Sequence, residues 1–158
     1  MQPGGIYRHE DFYRSAETGN REPKYLVLLA TLPSGDLVAR LLTSRPHGRP
    51  ETPPCHHGHP YPSFYLGVIG GPLSAKSWVD LRYLDDFDEF EFKRRLKSGR
   101  ITPVTSLAKE TLSDLLDCAS AAEDTTRMQE QVMRDALMRG VGVHNALASA
   151  FTLKPLTA

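Results

Sequence analysis

The chain has 158 residues, 40% of them hydrophobic, and its 19 Lys and Arg balance its 19 Asp and Glu. That length suits one domain around one core, and zero net charge excludes the global basic field that drives non-specific nucleic-acid binding, so any such binding must come from a local patch. No apolar run approaches the roughly 20 residues that cross a membrane and no apolar signal segment follows Met1, so the two cysteines, Cys55 and Cys118, read as reduced thiols of a cytoplasmic protein.

In chain order, "GGIYRHEDFY" reads as a strand and "SAETGNREP" as a loop by its Gly, Asn and Pro content. "KYLVLLATL" is a nearly continuous apolar run, too short for a buried helix. The hairpin composition "PSGD" ends it, and "DLVARLLTS" returns as the partner strand. Residues 45–62, "RPHGRPETPPCHHGHPYP", carry six prolines, which remove backbone donors and predict an exposed loop free of helix and central strand. "SFYLGVIGG" and "KSWVDLRYL" are the next strands, the second with Trp78, Asp80 and Arg82 on one face and Val79 and Leu81 on the other.

Helices follow. "DDFDEFEFKRRLKSG" runs from acids to bases before Gly99, the order that suits a helix dipole, with Phe87, Phe90 and Leu96 as its apolar side. "TSLAKETLSDLLDCASAA" places Leu112, Leu115, Leu116 and Ala119 at helical spacing, with Thr105 or Ser106 as cap. A last helix over about residues 126–139 has Thr126 and Gln129 at capping-box spacing and an apolar stripe of Met128, Val132 and Leu137, suited to core or dimer packing. Beyond Gly140 one or two further turns are expected. Five strands in short hairpins followed by helices predict a mainly β fold with α, a small SH3-like antiparallel barrel carrying C-terminal helices.

The "GGIY" opening, the polar loop ending at Pro23, the strand pair "KYLVLLA" and "DLVARLLTS", and the unit "SWVDLRYLDDFD" before a helix resemble, in order and spacing, the MazF/PemK (Kid, CcdB-like) toxin family over about residues 4–119. The resemblance implies a barrel domain with its closing helix at residues 1–119, a C-terminal helical extension at residues 120–158, and a homodimer. It also implies an endoribonuclease, an mRNA interferase of a toxin-antitoxin system. Such an enzyme cleaves single-stranded RNA without metal or other cofactor, and a cognate antitoxin blocks its groove. The alternative is a non-catalytic barrel of the same type, acting as a binding or dimerisation module. When a 2′-hydroxyl attacks its own phosphate, charge builds on the phosphoryl oxygens, and fixed cationic donors stabilise it.

On this resemblance Thr43 and Ser44 of "LLTS" match the family's strand end. Pro23 stands where the family has arginine, leaving Arg21 and Lys24 beside it as cations. Asp80 and Arg82 reverse the family's arginine–aspartate order. The catalytic candidates are therefore Thr43, Ser44, Asp80 and Arg82, and the RNA-binding candidates are Arg21, Lys24, Arg45, His47, Arg49, His57 and His59. Each has an ordinary rival reading: a solvated ion pair for Asp80 and Arg82, a plain strand end for Thr43 and Ser44, surface charge for Arg21 and Lys24. Four of the six histidines fall between His47 and His59, which gives that loop pH sensitivity near neutrality. A zinc reading would need Cys55 plus two of His56, His57 and His59. With Cys118 remote in sequence no second ligand cluster is evident, so no metal is expected there.

Overall fold

The computed structural model describes the backbone of residues 1–152 and the side chains of residues 1–140. The elements are β1 (Gly5–Arg14), β2 (Arg21–Thr31), β3 (Leu37–Thr43), β4 (Cys55–His56), β5 (Ser63–Gly67), β6 (Ser77–Asp80), α1 (Glu89–Ser98), β7 (Ile101–Ser106), α2 (Lys109–Ser120) and α3 (Arg127–Thr152). The strands form one antiparallel sheet in the order β4-β5-β6-β3-β2-β1-β7, whose edges β4 and β7 are not paired with each other. Among the described residues no helix is long and apolar enough to cross a membrane.

Among the described residues the five expected strands are thus seven. Both additions are edges. β7, "ITPVTS", contains Pro103, which a strand with a single neighbour tolerates because one row of its backbone groups needs no partner. Residues 45–62, expected to hold no strand, contribute the two-residue β4 against β5.

The apolar run of β2 is continuous because the sheet is covered on both faces. Leu26 and Leu28 join Tyr7, Leu37, Ala39, Phe92 and Ile101 under α1, while Val27, Leu29 and Ala30 join Val38, Leu42, Phe64, Val79, Leu115, Leu116 and Met133 under α2 and α3. Leu29 and Ala30 share a side because the register shifts between Leu28 and Ala30. Arg40 lies on this second face and is buried; its Nη1 donates to Ala39 O (2.8 Å) and its Nη2 to Gln129 Oε1 (3.2 Å). Burial pulls this guanidinium below its usual range, and Asp86 and Asp124 oppose that.

The helix ends follow capping chemistry more closely than the apolar stripes do. Asp88 caps α1 by accepting from Glu91 N (2.8 Å), and Gly99 at φ 78° closes it. Phe92 is the residue α1 fully buries, and Phe87 and Leu96 pack against the same cluster as expected, while Phe90, expected beside them, is 80% exposed. Thr105 and Ser106 lie in β7 and do not cap α2, whose N-cap position is Ala108. Leu115, Leu116 and Ala119 are buried as the spacing predicts. Thr126 and Gln129 form the reciprocal box: Thr126 N donates to Gln129 Oε1 and Gln129 N to Thr126 Oγ1, each at 3.1 Å. Past it Met133 enters the core and Val132 of the expected stripe packs against it, while Met128 is half exposed. α3 continues beyond Gly140, where one or two further turns were expected; residues 153–158 of the C-terminal extension lie outside the described residues.

Candidate functional site

The proline-rich segment after β3 is mostly exposed, as its composition predicts, but it is pinned to the sheet and buries Arg49. Arg45 N donates to Thr43 Oγ1 (3.2 Å), Arg49 N to Pro46 O (2.6 Å), Arg49 Nη1 to Arg45 O (2.7 Å) and Trp78 Nε1 to Pro50 O (3.0 Å). These bonds sink Arg49 until its side chain is 2% exposed, beside the carboxylate of Asp80 at 3.9 Å. Its Nε is buried without a partner among the described residues.

Asp80 ends β6, and both faces of that strand are covered, so its four positions are all buried. Arg82, just beyond, turns back onto it: Nε donates to Oδ1 (3.0 Å), Nη2 to Oδ2 (2.7 Å), and Arg82 N to Oδ1 (3.0 Å). The fork is bidentate and half exposed. Tyr61 lies within 4.8 Å of the Arg49 guanidinium and 5.2 Å of that of Arg82, ring centre to carbon, and the exposed His47 ring stacks on it at 5.3 Å. Burial works to raise the Asp80 pKa, but the hydrogen bonds and charge of Arg82 and the charge of Arg49 outweigh it and hold the carboxyl below its ordinary range. Asp80 and Arg82 line a cleft of about 350 Å³ with Leu41, Tyr83, Leu84 and Asp124.

Thr43 pairs across the sheet with Trp78, so it shares a face with Trp78 and, two positions on, with Asp80. It nevertheless opens into a different cleft, of about 250 Å³, together with Ser44, Arg45 and Lys24. The catalytic candidates are therefore split between two neighbouring hollows on the β3–β6 pair. Arg21 lies apart, exposed at the start of β2 opposite Arg14, and the Lys24 ammonium sits 5.4 Å from the centre of the Tyr13 ring. Tyr61 was absent from the sequence-derived candidates. A lone aromatic between two prolines was its only signal.

The histidine-rich end of the segment belongs elsewhere. Cys55 of β4 and Cys118 of α2 form a disulfide, which corrects the expectation of two free thiols. The exposed His57 faces that bond: its Nε2 is 3.5 Å from Cys55 Sγ, 3.6 Å from Cys118 Sγ and 3.0 Å from Cys118 O. His59 pairs with Glu123 at 2.7 Å, both largely exposed. His57 and His59 are thus held at the α2 end, while His47 and Arg49 are held at Tyr61.

No protein-family model, curated protein or solved structure matches the chain.

Proposed function

We propose that the protein binds and cleaves single-stranded RNA across the β3–β6 face, as a metal-independent endoribonuclease on an SH3-like barrel of MazF/PemK type. In this reading it works as a homodimer, with an antitoxin protein as its inhibitor. The observation that carries the reading is the grouping of two guanidiniums and an imidazole around Tyr61, with the Arg82 fork half exposed. Cation and aromatic surface together are what a flexible nucleic-acid strand needs: a charge for the phosphate and a flat face for the base. Arg45, exposed beside Thr43, adds a second phosphate contact along the strand.

In the reaction the ribose 2′-oxygen bonds to phosphorus, the bond to the 5′-oxygen breaks, and a cyclic phosphate and a 5′-hydroxyl result. Arg82 neutralises the charge that builds on the phosphoryl oxygens. Asp80, gripped by two arginines, is a weak proton acceptor and serves to hold the Arg82 fork. Proton transfer then falls to His47, whose imidazole can accept from the 2′-hydroxyl and return the proton to the leaving oxygen. Thr43 and Ser44 position the strand from the adjoining cleft.

The same grip on Asp80 favours a second reading, a binding module without catalysis, in which Arg82, Tyr61 and His47 hold a strand or a partner's phosphate and nothing is cut. Mapping the ends of a mixed single-stranded RNA after incubation with the protein in chelator separates the two. Cleavage supports the ribonuclease, binding to intact RNA supports the module, and RNA left both intact and unbound removes RNA as the ligand.

A further inference from the structure

We propose that, when its disulfide is reduced, the protein binds one zinc-class divalent cation on Cys55, His57 and Cys118. The sequence offered only one cysteine beside a run of histidines; the fold supplies the other by laying α2 against β4, so that one ligand atom from each of the three residues lies within 4.8 Å of the other two. Zinc takes thiolate sulfur at about 2.3 Å and imidazole nitrogen at about 2.0 Å in tetrahedral array, which sets each S···N separation at about 3.5 Å. His57 Nε2 already stands 3.5 Å from one sulfur and 3.6 Å from the other. The imidazole is therefore in place for an ion, and the two sulfurs need only part. Two soft ligands and one borderline ligand suit zinc over magnesium or calcium, and water takes the fourth position.

The chemistry is a two-electron exchange followed by ligation. A dithiol reductant gives two electrons and two protons and closes to its own disulfide; the Cys55–Cys118 bond breaks, and each sulfur leaves as a thiol. The cation then displaces one proton from each thiol. Nε2 of His57 must present its lone pair, so its contact with Cys118 O gives way and the ring proton sits on Nδ1. The corner would then alternate between a covalent bond and a metal bridge joining the same two elements.

The test uses the full chain reduced with a dithiol, freed of it by gel filtration without oxygen, and titrated with Co²⁺ as a spectroscopic stand-in. The expected result is one equivalent bound, with the visible bands of tetrahedral cobalt and a thiolate-to-metal band in the near ultraviolet. The oxidised protein should show neither. His57→Ala should weaken binding at least about tenfold, and Cys118→Ser, which leaves one thiolate, should weaken binding and cut the intensity of the thiolate band by about half or more. If the reduced chain loses its fold, recovery of its circular dichroism on adding Zn²⁺ supports the site and failure to recover overturns it. Absence of binding to the reduced chain, equal binding by the oxidised chain, or binding unchanged in Cys118→Ser also overturns it. None of these outcomes involves RNA.

Discussion

The face that carries Arg49, Asp80 and Arg82 and the corner that carries Cys55, His57 and Cys118 share the short strands at one end of the sheet, yet they are held by opposite means. The face is electrostatic: one carboxylate anchors two guanidiniums, one sunk to 2% exposure and one half in water. The corner is covalent, tying β4 to α2 across 63 residues of sequence, and its imidazole is exposed. A charge network of this kind presents a cation to a ligand while staying rigid, whereas a thiol pair changes state only with electrons. The two regions should therefore respond to different perturbations.

The largest effect is expected at the anchor. Asp80→Ala leaves Arg49 buried without its counter-charge and should cost about 3–5 kcal/mol in chemical denaturation; Arg82→Ala, which removes only the half-exposed partner, should cost about 1 kcal/mol or less. Equal losses would mean that Arg49 is not held by Asp80. At the corner, Cys118→Ser should destabilise by about 2–4 kcal/mol through the freed loop, and should leave the affinity for RNA within twofold if the two regions are independent.

Acid distinguishes them further. The folded Asp80 pKa lies below its unfolded value, so its charged form contributes stability above the ordinary carboxylate range near pH 4, and that contribution is lost as pH falls through the folded value. Asp80→Asn should therefore flatten the fall in stability between about pH 5 and pH 3, followed by thermal melts. Cys118→Ser should leave that slope as it is. A small effect belongs to neither region: Thr126→Ala opens one side of the α3 capping box and should cost about 1 kcal/mol.

The sequence carried the parts of this molecule that local chemistry decides. The turn at "PSGD" forms with Gly35 at φ 93°, and the box at Thr126 and Gln129 closes as its spacing indicates. Asp80 and Arg82 are neighbours enough for their pairing to be legible. What distance in sequence hides is different in kind. The burial of Arg49 depends on its hydrogen bonds to Pro46 O and Arg45 O and on the Asp80 carboxylate of β6, none of which proline content reveals. The meeting of Cys55 with Cys118 depends on where α2 docks. The edge β7 was hidden by Pro103, a residue that argues against a strand everywhere except at an edge.

In the proposed function the half-exposed fork of Arg82 receives RNA phosphate. The most direct measurement is to incubate the oxidised protein and its Arg82→Ala variant with a mixed single-stranded RNA in chelator, following both binding and the appearance of new ends. The account predicts new 5′-hydroxyl ends from the parent chain and a loss of about 10²- to 10³-fold in their rate of appearance in the variant. RNA left intact and unbound by the parent chain, or cut as fast by the variant, would contradict it.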